Sequence, residues 1–117
     1  MDFLDRIGAR DMSDFSSITS LKAAEDACRD GHLTRALLFP EELGGQDLPE
    51  NVVYIPAHVS EIKTNATVEL LSAVREGMSD VAVVPEYRGT SFVPIKITIT
   101  AANPGMSPGY ALDIEIW

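Results

Sequence analysis

A switch of apolar period near residue 80 constrains this chain more than any other feature. Before it, Val59, Ile62, Ala66, Leu70, Ala73 and Gly77 keep a near-3.6 spacing; from Val81 onward the apolar positions alternate. Side chains return to one face every 3.6 residues on a helix and every two on a strand. A helix that ends at Gly77 is therefore followed by strands, expected at residues 81–88, 91–100 and 110–117, the last two joined by the loop 101–109. The start of that helix has two readings. Thr64 and Asn65 either cap a shorter helix or lie on the surface of a longer one.

Upstream of the switch, Ile18, Leu21, Ala24 and Cys28 are spaced by three, three and four, with Ser16 and Ser17 as candidate caps and Gly31 as a left-handed stop. Lys22 with Asp26 and Glu25 with Arg29 form i,i+4 pairs on the outer face of this helix. Residues 33–39, closed by Pro40, and residues 52–55, closed by Pro56, read as short buried strands. Between them, Pro40-Glu41-Glu42-Leu43-Gly44-Gly45 has proline where a helical turn begins and glycine where one ends. Residues 1–15 admit a short amphipathic helix or arm through Phe3, Leu4 and Ile7. The expected fold is a single α+β domain over residues 1–117, of order α-β-β-α-β-β-β: a mixed or mainly antiparallel sheet of about five strands with two helices on one face.

Pro85 and Pro94 fix a register if Gly89-Thr90 is a two-residue turn. They then face each other at a non-hydrogen-bonded pair, where neither missing N–H matters. In that register Ala82, Val84, Val93, Ile95, Ile97 and Ile99 share the core face, joined by Leu112, Ile114 and Ile116 if Ile97 lies opposite Leu112. Lys96 then faces Asp113 as a cross-strand ion pair, and Tyr87, Phe92 and Trp117 form an aromatic row on the opposite face.

Charge and composition narrow the function. With 45% apolar and 23% charged residues, the composition is that of a folded protein, not a disordered one. The net charge of −9, with Lys and Arg scattered, excludes the clustered basic surface that nucleic acid or an anionic membrane requires. No Lys or Arg occurs between Arg35 and Lys63, whereas Glu41, Glu42, Asp47, Glu50 and Glu61 all do. With one cysteine and no secretion-type N-terminus in MDFLDRIGARD, a reducing cytoplasm is the expected setting.

No cofactor or metal site is expected. Cys28, His32 and His58 are the only soft ligands, and they fall short of ligand-spacing patterns. Cys28 on an apolar stripe is a packing residue rather than a nucleophile. Glu41 and Glu42 are neighbours that point in different directions, and no apolar pocket is evident to tune either one. Candidate partner-binding residues are thus the acidic set Glu41, Glu42, Asp47, Glu50 and Glu61 and the aromatic row Tyr87, Phe92 and Trp117. The acidic set suits a basic protein partner, as in an inhibitor or immunity protein. The alternatives are a small ligand-binding domain or enzyme with a pocket where the 40–51 loop meets the 101–109 loop around Met106, and an oligomeric structural module in which the outer sheet face and Trp117 pair with a second copy as a homodimer.

Overall fold

A computed structural model of the chain describes residues 14–117, so the expected N-terminal helix or arm lies almost wholly outside the described residues. The fold is α+β, with helix α1 (Leu21–Arg29), strands β1 (Thr34–Leu37) and β2 (Val52–Ile55), helix α2 (Ala57–Arg75), and strands β3 (Asp80–Glu86), β4 (Lys96–Ala102) and β5 (Pro108–Glu115). The order α-β-β-α-β-β-β is the one the apolar periods indicate. The strands are all antiparallel and divide between two sheets, β1-β2 and β3-β4-β5.

Helix α1 is capped by Ser20, whose side chain accepts from the Ala23 N–H, and not by Ser16 or Ser17. The earlier serines are held in a turn by the Asp14 carboxylate, which accepts from the Ser16 N–H. Gly31 follows the helix with φ +84°, the left-handed position for which glycine is suited. Lys22 pairs with Asp26 as expected; Arg29 also takes Asp26, leaving Glu25 to another surface.

Helix α2 is the longer of the two possibilities. It begins after Pro56, and Thr64 is a surface residue whose hydroxyl donates to the Ser60 carbonyl. Its buried face carries Val59, Lys63, Ala66, Thr67, Leu70 and Ala73, while Ile62 is 42% exposed. At about 100° per residue, position 63 lies about 40° from Val59, whereas position 62 lies about 60° away on the other side. The packed stripe therefore includes the lysine and leaves the isoleucine at its margin.

The hairpin β3–β4 corrects the register read from the prolines. Pro85 faces Ile97 and Glu86 faces Lys96, so residues 87–95 form a long loop instead of two strands closed by Gly89-Thr90. This loop directs its polar groups to the N-terminal segment: Phe92 N–H donates to Ile18 O (2.7 Å), and the Ser91 hydroxyl donates to Phe15 O (2.7 Å) while accepting from Val93 N–H. The offset from the two-residue-turn register is three residues. An odd shift exchanges the faces of a strand, so Val81, Val83 and Pro85 point inward, and Ala82 and Val84 point outward.

Between β4 and β5 the shift is two, which preserves the faces. Ile97 faces Ile114 and Ile99 faces Leu112 on the inner side. Asp113 consequently receives the Thr98 hydroxyl (2.9 Å), and Lys96 lies 3.6 Å from Glu86, replacing the expected Lys96–Asp113 pair. Pro85 is tolerated because β3 is an edge strand. Helix α2 covers the inner face, and Ile55, Leu70, Ile97, Ile99, Val53, Val59 and Val93 form the driest part of the core. The Tyr110 hydroxyl on β5 donates to Glu69 on α2 (2.8 Å) and fastens the helix to the sheet.

Candidate functional site

The 14-residue connection between β1 and β2 gives one wall of a broad concave surface. Its first turn, Glu41–Leu43, follows Pro40 and stops at Gly44, φ +101°, in agreement with the sequence pattern. Gly45 then passes so close to the Phe39 carbonyl that any Cβ would collide with it. Asn51 closes the connection: its Oδ1 accepts from Phe39 N–H (2.8 Å), and its Nδ2 donates to Phe39 O and Gln46 O (3.0 Å each). These bonds replace ladder bonds that the chain loses as it leaves the β1–β2 hairpin.

Held this way, Asp47, Pro49 and Glu50 form one rim of a cleft of about 880 Å³. Its floor is the outer face of β1–β2, where Arg35 lies opposite Tyr54 and Val52 shares the face two residues away. Leu21 and Glu25, one turn apart on α1, form an end. The facing wall is the loop after β3, through Tyr87, Thr90 and Phe92. Leu21, Tyr87 and Phe92 are 50%, 47% and 39% exposed, so three of the large apolar side chains that the fold leaves in water converge on this one cleft.

The charges in the cleft are not equivalent. Arg35 donates to both carboxylate oxygens of Asp47, at 2.6 and 3.4 Å. The hydrogen bond and the charge of Arg35 hold Asp47 below its ordinary carboxylate range, and the same contact holds Arg35 above its own. Among the described residues, no ion pair engages Glu25 or Glu50. The cleft thus combines a satisfied Arg–Asp pair with two carboxylates open to a visiting cation. Burial pushes the Tyr87 hydroxyl up, which keeps it a neutral donor.

The chain matches no protein-family model, no curated protein and no solved structure.

The structure distributes the two candidate residue sets differently from the sequence expectation. Tyr87 and Phe92 meet in the cleft, across from Asp47 and Glu50. Trp117 does not join them in a row. It stands behind the loop, its ring edge-on to Phe15 (6.3 Å), stacked under Arg88 (5.1 Å) and donating from Nε1 to the Val93 carbonyl (3.0 Å). Glu41 and Glu42 border a separate small pocket beside Lys63, and Glu61 is exposed on α2. The acidic loop is therefore not one continuous face, and its Asp47–Glu50 end is not distinct from the aromatic residues.

Of the two loops expected to frame a pocket, 40–51 and 101–109, only the first borders this cleft. The 40–51 loop contributes a wall, but the opposite wall is residues 87–92; Met106 is 67% exposed and lines no part of it. Arg35, Leu21, Glu25 and Asn51 are the site-building residues that sequence reasoning overlooked. Arg35 carried a signal, as the last base before the acidic gap; Leu21 and Glu25 did not, because only the tertiary fold turns them toward β2. No group of three His, Cys, Asp or Glu side chains among the described residues is placed to hold a metal ion. No helix among them is long and apolar enough to cross a membrane.

Proposed function

We propose that this protein is a binding module that receives a segment of a basic protein partner in the cleft between the β1–β2 connection and the loop after β3. An aliphatic or aromatic side chain of the partner packs against Leu21, Tyr87 and Phe92, and a neighbouring Lys or Arg meets Glu50 and Glu25. The convergence of exposed apolar side chains and carboxylates in one cleft carries this reading. Aromatic anchors supply affinity at small entropic cost, whereas peripheral carboxylates speed association and select the sign of the partner. An inhibitor or immunity protein that neutralises a basic toxin or nuclease is a biological role suited to such a surface, with the cytoplasm as its compartment.

A display library of random 12-residue peptides tests this. Enrichment of sequences that join an apolar residue to Lys or Arg, with binding that weakens as salt rises and is lost in Phe92→Ala, is the expected result. Enrichment of acidic peptides, or of none, contradicts it. The cleft volume also falls within the range of small-molecule sites. On that second reading, a thermal-shift screen with metabolites would raise Tm for a discrete compound.

A further inference from the structure

Lys63 is the one lysine that the fold takes out of water. It is 7% exposed in the middle of α2, whereas the side chain of Lys22 is 82% exposed and that of Lys96 28%. The chain has no other lysine. A lysine on a buried helical face ordinarily snorkels its ammonium to water or pairs it with a carboxylate. Among the described residues no hydrogen bond or ion pair engages Nζ.

Instead the side chain lines a cavity of about 220 Å³ between α2 and the start of the β1–β2 connection. Ser60, Thr64 and Thr67 contribute hydroxyls from α2. The Thr64 and Thr67 hydroxyls donate to the carbonyls of Ser60 and Lys63, so they offer only lone pairs to the cavity. Glu41 and Glu42 line it from the connection and, with Lys63, are the only ionisable groups among the described residues that do so. Burial pushes the Lys63 amine below its ordinary value, partly offset by the charge of Glu42.

The geometry points to Lys63 as a nucleophilic amine that captures a small uncharged aldehyde in this cavity as an imine. The carboxylates of Glu41 and Glu42 in the lining disfavour an anionic ligand, and the small volume of this open pocket suits a short one. The Nζ lone pair attacks the carbonyl carbon and the C=O π electrons move to oxygen. A proton then passes from nitrogen to that oxygen, giving a carbinolamine. Loss of water completes the C=N bond, with no oxidant or reductant consumed. Activation of a lysine by desolvation is an established route to Schiff-base chemistry.

Propionaldehyde with cyanoborohydride at pH 7, followed by peptide mapping of the full chain, tests the assignment. The reagent reduces the imine and marks each amine that formed one. Lys63 should be propylated at least tenfold faster than the more exposed Lys22 and Lys96. Glu42→Gln should accelerate labelling at Lys63 further, because it removes the charge that favours the ammonium. Lys63→Arg should abolish the rapid phase and leave labelling of Lys22 and Lys96 unchanged. Labelling of Lys63 no faster than the other two, in wild type and in Glu42→Gln, overturns the proposal. Because wild type is the first comparison, the result does not depend on any variant folding.

Discussion

The two sheets of this protein solve opposite problems. In β3–β5 the side chains alternate up to the irregularity at Ala101/Ala102: Val83, Ile97, Ile99 and Ile114 lie on the inner face, and Val84, Thr98 and Asp113 face away. In β1–β2 the two strands are four residues each, and the surface above them is built from a 3-10 turn, an asparagine clamp and the loop that leaves β3. The first region buries the isoleucines of its inner face, Ile97, Ile99 and Ile114. The second leaves Leu21, Tyr87 and Phe92 in contact with water around a cleft. A fold that can pack isoleucines to complete dryness and yet keeps three large apolar side chains exposed in one place has separated a scaffold from a contact surface.

The largest effect that distinguishes the regions comes from β3 itself. Val83→Asp should cost roughly 3 kcal/mol of stability by placing an unpartnered carboxylate on the inner face. Val84→Asp, one residue on, should cost less than about 1 kcal/mol. Chemical denaturation of the two variants measures this, and equal costs would break the inside–outside assignment and with it the register.

Next in size is the clamp. Asn51→Ala removes three hydrogen bonds that hold the connection and should cost about 1–3 kcal/mol. It should also weaken peptide binding, since Asp47 and Glu50 lose their placement. A variant that loses stability but binds unchanged would show that the connection is not part of the contact surface.

The smallest effect is a pH dependence within the scaffold. Burial, with the hydrogen bond to Glu69, pushes the Tyr110 hydroxyl up from 10.0 to about 12. The folded state thus favours the neutral phenol. Its contribution is fully present below pH 10 and is lost as pH rises through about 12. Melting temperatures measured from pH 9 to 12 should fall less steeply in Tyr110→Phe than in wild type; parallel curves would detach Tyr110 from that loss.

Much of the scaffold was legible in the sequence because it rests on local rules. The apolar period placed α2 and its stop at Gly77, and Pro40 with Gly44 marked the turn that opens the connection. Register was harder. Pro85 and Pro94 are compatible with a tight hairpin, and only the long-range bonds from Ser91 and Phe92 to Phe15 and Ile18, invisible to local pattern, draw the loop out to residue 95. The exchange of Ile62 for Lys63 was legible in principle, since it is a matter of helical angle, but hydropathy favoured the isoleucine.

The cleft was half visible. Asp47 and Glu50 stand out in the sequence as part of the acidic gap, and Tyr87 and Phe92 as part of the aromatic row, whereas Glu25 does not. That they share one surface follows from how β2 and the loop after β3 approach each other, which no spacing within either segment encodes. Trp117 resembled Tyr87 and Phe92 in the sequence, but its indole N–H finds the Val93 carbonyl and turns it to the supporting side of the loop.

The central claim is that the cleft is the contact surface and the sheet β3–β5 the scaffold. Titrating isotope-labelled protein with a peptide that joins an apolar residue to Lys or Arg, and following the backbone amide resonances, tests it most directly. Shifts confined to residues 21–25, 47–54 and 87–92 are the result predicted. Shifts centred on the outer face of β3–β5, at Ala82, Val84, Thr98 and Ala111, with the cleft unmoved, would contradict it.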